Sequence, residues 1–373
     1  MRGAVSQQWV STSNSDAPYS YINKTIYTYN TQLLPNKVFI NFPTSVVADD
    51  MLQGITTTQS FTYDSYYNPT DIITSFTGGS KQITYTYSNN ITASSELYHV
   101  GRPTKKVATS ILGGLSFNTE EQYTYNNNLV TKVMRRGDNT PWISEDFQFD
   151  VFGNTTQKTL SGSGVTSRSE QFEYDFSGRF LTKSTDIEGL QTTFAYNSFT
   201  GTLISTTNPY GLTTTYEYDG WNRVTKETDY LNNSVLTSYA LVNGGGFTIS
   251  VNYTKGPSEV TTYNAFGWVT KSKALSLNNQ WVQKSFEYDI IGRRIKESEP
   301  YFSYAAPSQW NQLFYDSYGR PSSQQLFNGK TINTTFNGLS VTIDDGIKTV
   351  TTTKDAAGNI VKVQDPGGII NYT

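Results

Sequence analysis

The sequence predicts an all-β protein, a strip of antiparallel β-hairpin repeats. Three observations predict it. The first is a turn recurring at near-constant step: the Asp or Asn that opens it stands at 175, 186, 197, 208, 219 and 229, steps of 11, 11, 11, 11 and 10. Gly or Asn, the residues that best tolerate φ > 0, follows three or four positions on. The opening Asx side chain can accept a hydrogen bond from the backbone two residues later. Each step leaves about seven residues, a normal strand length. The second observation is period-2 alternation between turns, which puts Leu190, Thr192, Phe194 and Tyr196 on one face, and Leu212, Thr214, Tyr216 and Tyr218 likewise. The third is composition: only 36% hydrophobic residues, but 27 Tyr and 20 Phe. Such a chain cannot fill a large aliphatic core, yet it can cover a pleated, half-buried surface. Its aromatic richness and net charge of −3 oppose disorder.

Taken in order, residues 1–144 read as degenerate repeats with longer loops. Tyr63-Asp64 leads to Asn68, and Tyr98-His99-Val100-Gly101-Arg102 keeps the end of the motif without its Asp. Thr77-Gly78-Gly79-Ser80 and Asn126-Asn127-Asn128 mark further hairpins. Residues 145–373 read as the regular part, with strands of about five to nine residues. Phe149-Asp150-Val151-Phe152-Gly153-Asn154 opens it, and Tyr174-Asp175-Phe176-Ser177-Gly178-Arg179 and Tyr218-Asp219-Gly220-Trp221-Asn222-Arg223 follow. Tyr263-Asn264-Ala265-Phe266-Gly267, Tyr288-Asp289-Ile290-Ile291-Gly292-Arg293 and Tyr315-Asp316-Ser317-Tyr318-Gly319-Arg320 continue the series, and Asp355-Ala356-Ala357-Gly358-Asn359 keeps the turn behind Lys354. The turn account requires φ > 0 at Gly178, Asn222, Gly292 and Gly319. Asn328-Gly329, Asn337-Gly338 and Asp345-Gly346 read as type I′ hairpin dipeptides. Helix is nearly absent from the pattern; Ser303–Leu313 has room for one turn at most.

The Tyr-Asp, two free residues, then Gly-Arg motif resembles the YD-repeat (Rhs, rearrangement hotspot) family over most of the chain, clearly from about Glu145 onward. The resemblance implies a long β-strip spiralling into a hollow shell. In bacteria such a shell encloses a toxic C-terminal domain, and in animal teneurins a related shell belongs to an adhesion protein. It also implies, as partners, the rest of the same polypeptide and a secretion machinery or carrier, and a secreted or cell-surface bacterial location. The chain departs from the family in lacking a recognisable self-cleavage core motif. Asp365-Pro366-Gly367-Gly368 lies ten residues after Asp355, the spacing of an ordinary second turn. By register, Gly368–Thr373 stops within a strand, and no apolar run follows Met1-Arg2-Gly3-Ala4. The expectation is a segment of a longer exported polypeptide.

Chemistry finds little purchase in this sequence. There is no cysteine, so no disulfide framework or thiol chemistry. The single histidine, His99, stands beside a repeat turn, where a solvated or packed role outweighs a catalytic one. Gly329-Lys330-Thr331 ends like a phosphate loop, but Gln324 replaces the first glycine. Asp49-Asp50 and Asp344-Asp345 lack EF-hand spacing and read as solvated loops. The recurring turn Asp reads as a cap rather than an acid or base. Repeated aromatics suit either cross-strand packing or a saccharide platform, and their fixed place in the repeat favours packing. No basic footprint for nucleic acid is present, and no stretch approaches the ~18 apolar residues of a membrane span. No catalytic, cofactor-binding or metal residue is assigned. The functional reading is a non-enzymatic segment that encloses, carries or displays another part of a large exported polypeptide; the alternative is a cell-surface adhesin or saccharide-binding β-protein.

Overall fold

The computed structural model describes residues 4–11, 21–35, 38–92 and 97–372, apart from the side chain of Tyr21. Thr373, where the sequence reading halts a strand, lies outside them. Among the described residues the regular structure is entirely β, with 31 strands in an antiparallel sheet. The chain divides into two compact units.

The first unit comprises residues 1–169, 336–342 and 350–373. Its early strands are long: Tyr21–Leu33 has 13 residues, Phe39–Asp50 12 and His99–Leu112 14. The irregularity of this region is therefore in strand length as well as in loops. Consecutive strands pair in order, as in Ile26↔Val47 and Val47↔Thr58. A late hairpin returns to an early one: a Cβ at Gly338 would lie 3.6 Å from the carbonyl oxygen of Gln53, so one turn packs against another.

The second unit comprises residues 170–335 and 343–349. Leu181–Thr185, Gln191–Tyr196, Leu203–Thr207, Thr213–Tyr218 and Val224–Thr228 are short strands in a plain meander. Lys183 pairs with Thr193 and Thr193 with Thr207, each strand bonding the next. A step of 11 residues is too short for a helical crossover, so antiparallel return is the only connection open to it. The meander is interrupted once. Strand Trp281–Tyr288 divides its edge, Phe286 pairing with Glu297 while Val282 pairs with Phe302 of a two-residue strand. Ser298 fills this fork completely buried, its Oγ accepting the Ser285 N–H at 2.9 Å. Residues 303–313 form a turn and an extended segment without a helical turn.

A second packed layer is missing from the described residues. Val133 is the one buried hydrophobic side chain, at 7% exposure. The accessible surface is 23862 Å², whereas a close-packed monomer of 41.7 kDa exposes roughly 15,000 Å². One face is half-covered by its own side chains. Thr192, Phe194 and Tyr196 are half-buried while Gln191, Thr193 and Ala195 are exposed, the alternation read from sequence, except that Leu190, placed on the same face, is exposed just ahead of the strand.

Candidate functional site

The repeated feature of this molecule is its turn, and at Asp219 each atom has a defined task. The main chain closes with Asp219 N–H on the Arg223 carbonyl and Asn222 N–H on the Asp219 carbonyl, both at 3.0 Å. Oδ1 accepts the N–H groups of Trp221 at 2.9 Å and Arg223 at 3.0 Å, while Oδ2 accepts Nε of Arg223 at 2.7 Å. The motif arginine is here the second partner of its own Asp, a role sequence reasoning missed, whereas at Asp175 the Ser177 hydroxyl takes that place and Arg179 lies over the Phe180 ring. Arg293 on Asp289 and Arg320 on Asp316 repeat the bond at 2.7 Å. Where Asn replaces Arg, its amide does the same work, as Asn233 on Asp229 at 2.8 Å. Left-handed backbone occurs where the turn requires it: φ is 69° at Gly178, 60° at Asn222, 88° at Gly292 and 80° at Gly319. These bonds hold the carboxyls below the ordinary aspartate range. The Arg223 backbone N–H and then its guanidinium act on Asp219, and the Asn233 amide leads at Asp229.

Three expected I′ dipeptides behave otherwise. At Asn328-Gly329, Asn337-Gly338 and Asp345-Gly346 only the glycine has φ > 0, whereas type I′ needs both central residues there. Gly329 instead closes on the Leu326 carbonyl, the repeat's own turn geometry. Both residues are left-handed at Asn127-Asn128, with φ of 46° and 68°, and at Gly113-Gly114, with 57° and 83°.

The tyrosine ahead of the turn explains itself by its hydroxyl at Tyr63, Tyr87, Tyr125, Tyr218, Tyr288 and Tyr315, while Tyr196 and Tyr263 stack on Phe180 and Phe247. Every such residue sits at a register slip, as between Glu217 and Tyr218 or Glu287 and Tyr288, where a β-bulge bends the strand into the turn. Its ring reaches back across the meander: Tyr218 OH donates to the Leu203 carbonyl at 2.9 Å, Tyr288 OH to Val269 at 2.8 Å, and Tyr315 OH to Arg294 at 2.6 Å. Tyr63, Tyr87 and Tyr125 do the same to Pro43, Pro69 and Pro103, at 2.5, 2.8 and 2.7 Å. Each acceptor is the residue opposite the preceding aromatic bulge: Pro69 pairs with Tyr63, Pro103 with Tyr87, Leu203 with Tyr196, Val269 with Tyr263 and Arg294 with Tyr288. One repeat is thereby latched to the next. Proline is tolerated at these in-strand positions because the ladder is broken there by the bulge. The pattern also reassigns an early repeat. Tyr87, not Tyr98, fills the tyrosine position, and Asn89 supplies the cap, accepting the Gly101 N–H at 2.7 Å.

Residues singled out for chemistry fall into structural roles. His99 contacts the Ser88 hydroxyl through Nε2 at 3.1 Å and the Leu97 carbonyl through Nδ1 at 2.9 Å. Asp50 caps its turn, Oδ1 accepting the Leu52 and Gln53 N–H groups at 2.9 Å, and Asp49 accepts the Thr56 hydroxyl at 2.7 Å. Asp344 and Asp345 likewise accept the Gly346 and Ile347 N–H groups at 2.9 Å. Asp50, Asp344 and Asp345 are thus turn caps, and Asp49 lies within a strand, paired across to Thr56. Lys330 N–H turns to Asn328 Oδ1, inside a hairpin. Among the described residues no group of three or more His, Cys, Asp or Glu side chains could hold a metal ion.

One charged cluster is dense. Glu120, 8% exposed, takes Lys105 Nζ at 2.7 Å and Arg136 Nε at 2.9 Å, and its pKa falls to about 2, the Lys105 hydrogen bond leading. Beside it Lys106 meets Glu121 at 2.8 Å, Arg135 bonds Glu145, and Lys158 meets Glu145 at 3.2 Å. Acids and bases alternate across five neighbouring strands, a cross-strand ladder.

A family model described as RHS Repeat matches residues 200–229. No curated protein matches the chain in sequence. The crystal structure of TcdB2-TccC3 without its hypervariable C-terminal region superposes with a TM-score of 0.73 at 9% identity, over 97% of this chain and 29% of that one. The crystal structure of TcdB2-TccC3-TEV does so with a TM-score of 0.72 at 10% identity, over 97% and 30%. The chain thus spans less than a third of the length of those solved chains, and the likeness is one of fold. The chain thus carries an RHS repeat at 200–229, with the capped Tyr-Asp turn and the tyrosine latch recurring along a β-strip that shares the fold of those solved structures.

Proposed function

We propose that this strip is a non-enzymatic wall that encloses, carries or displays another part of a large exported polypeptide. The observation that carries the reading is the half-buried face of a sheet with no second layer. Phe194, Tyr196, Tyr216 and Tyr218 are covered only by their neighbours in the sheet. A one-layer sheet completes the burial of such a face by closing around contents or against another body. The similarity in fold to TcdB2-TccC3 supports the same reading and suggests a role in toxin delivery. The recurring turn aspartates serve as caps, as Asp219 and Asp289 do, which supports a structural rather than an acid–base role for them. Export to the cell surface or medium follows from the reading; among the described residues no helix is long and apolar enough to cross a membrane. Residues 1–144 and 145–373 serve as the less and the more regular part of one wall.

Limited proteolysis of the parent gene product tests this. Polypeptide held behind the wall should resist protease until the strip is unfolded by acid, and then be cut at once. Cleavage of every other part of the product at the rate of its isolated form would refute enclosure.

The saccharide-binding alternative draws on one observation, the aromatic side chains Phe176, Phe199 and Trp221 exposed at turn apices. Binding of the folded chain to a glycan array, abolished by Trp221→Ala, would establish it in place of the wall.

A further inference from the structure

Asn or Asp stands directly before Gly at positions 219, 243, 328, 337 and 345. In such a pair the glycine nitrogen can reach the side-chain carbonyl carbon ahead of it, since no Cβ stands in the way. The reaction requires both groups to be free, and at four of the five positions the structure holds them. Asp219 gives Oδ1 to the Trp221 N–H and Oδ2 to Arg223. Asp345 Oδ1 accepts the Ile347 and Lys348 N–H groups, and the Gly346 N–H donates to Asp344. Asn328 Oδ1 accepts the Lys330 N–H at 3.0 Å, while the Gly329 N–H closes on the Leu326 carbonyl at 2.9 Å. Asn337 ends the strand Thr331–Asn337, and its extended backbone turns the next nitrogen away from its side chain.

The turn from Val242 to Gly246 is different. It keeps the outer bond, Val242 N–H to the Gly246 carbonyl at 3.0 Å, but opens with valine where Asp or Asn is usual. In a capped turn the opening side chain accepts the N–H two residues on, as Asn264 Oδ1 accepts that of Phe266 at 3.0 Å. Two residues on from Val242 is Gly244. The bond that valine cannot make is therefore the one that would hold the attacking nitrogen. Among the described residues no hydrogen bond engages the Asn243 carboxamide or the N–H groups of Gly244 and Gly245. All three residues are exposed, and a Cβ at Gly244 would meet nothing within 4 Å.

We propose that Asn243 is a self-modification site, deamidated by the nitrogen of Gly244. The Gly244 N–H gives its proton to solvent hydroxide and the nitrogen bonds to Cγ of Asn243. The Cγ–Nδ2 bond breaks, and the leaving nitrogen takes a proton from water and departs as ammonia. Water then opens the resulting succinimide at either carbonyl, leaving aspartate or isoaspartate and one more negative charge. Isoaspartate adds a carbon to the main chain, which this turn accepts because the flanking strands are paired independently from Val235↔Tyr253 to Leu241↔Phe247. The reaction needs neither the enclosing role nor a partner.

Peptide mapping by mass spectrometry tests it on the full chain kept folded in mildly alkaline buffer, following amide-to-acid conversion at each Asn-Gly pair. Asn243 should convert more than roughly tenfold faster than Asn328 or Asn337, each hydrogen bond that must first break being worth on the order of fivefold in rate. In unfolding concentrations of urea the three rates should converge. Val242→Asn restores a cap and should slow conversion at 243 about fivefold in the folded chain, with no effect in urea. A circular dichroism melt verifies that this variant folds; if it does not, the comparison of folded and urea-unfolded wild type decides alone. Equal rates at the three sites in the folded chain would overturn the proposal. A lead of Asn243 that persists in urea, or a folded Val242→Asn chain that reacts as fast as wild type, would overturn the role of the uncapped turn.

Discussion

Tyr288 shows what a single residue of the repeat contributes. Its ring is half-buried, and its hydroxyl latches the Val269 carbonyl at 2.8 Å. Tyr288→Phe keeps the ring and removes the donor, so it should cost about 1 kcal/mol of unfolding free energy, read by urea titration. Asp219 separates the two halves of the cap. Asn already opens the turns at 197, 208 and 264 and still accepts through Oδ1. Asp219→Asn should therefore lower the melting temperature less than Asp219→Ala, which loses both partners. Glycine offers a third comparison. Gly292 and Gly358 share φ of 88° and 89°, but a Cβ at Gly292 would lie 2.6 Å from the Trp268 ring while one at Gly358 meets open space. Alanine at either site costs about 1–2 kcal/mol for left-handed backbone. Chemical denaturation should show the larger loss at 292. Of these features, the tyrosine, the Asp and the glycine were legible in sequence. The latch was not, because its acceptor is any backbone carbonyl and leaves no side-chain signal.

Strands and turns, the next scale, carry the pH dependence. Asp219, Asp229, Asp289, Asp316 and Glu120 have folded pKa values below their ordinary ones, Glu120 at about 2. Such groups stabilise the fold above the ordinary carboxylate range and lose that contribution as pH falls through the folded value. Tyr63, Tyr87, Tyr125 and Tyr218 are shifted the other way, upward by burial. Their contribution is complete below the ordinary value of 10.0 and is lost as pH rises through the folded one. Melting temperature against pH should thus show a plateau with an acid fall below about pH 4 and an alkaline fall above about pH 10. A maximum confined near neutrality would contradict it. Strand direction was legible from the 11-residue step, since only an antiparallel return fits. The fork at Ser298 was not, because Tyr301-Phe302 carries no turn signal of its own and pairs only where Trp281–Tyr288 leaves an edge open.

At the scale of the molecule, the second unit shows no buried hydrophobic side chain among the described residues, which makes the hairpin its unit of stability, each bonded to the next along the meander. Deleting residues 197–218 removes 22 residues, one hairpin, and joins Tyr196 to Asp219 in the native motif. That variant should keep the β-sheet circular dichroism spectrum and a cooperative melt. Deleting 208–218 removes 11 residues, a single strand, and reverses the direction of every later one. It should lose cooperativity. Equal behaviour of the two deletions would show that the hairpin is not the repeating unit.

By itself the sequence determined the class, the turn positions, the strand faces and the repeat length. These follow from local chemistry: Gly and Asn at left-handed positions, Asx caps, and a side-chain period of 2. Tertiary structure alone decided which carbonyl each latching tyrosine reaches, that Arg223, Arg293 and Arg320 serve the aspartates of their own turns, and that Tyr87 rather than Tyr98 continues the series. It also decided that the turn at Gly338 comes back to Gln53. Those contacts join residues separated by the curvature and register of many strands, and a periodic sequence repeats the same local signal at each of them without saying which two will meet.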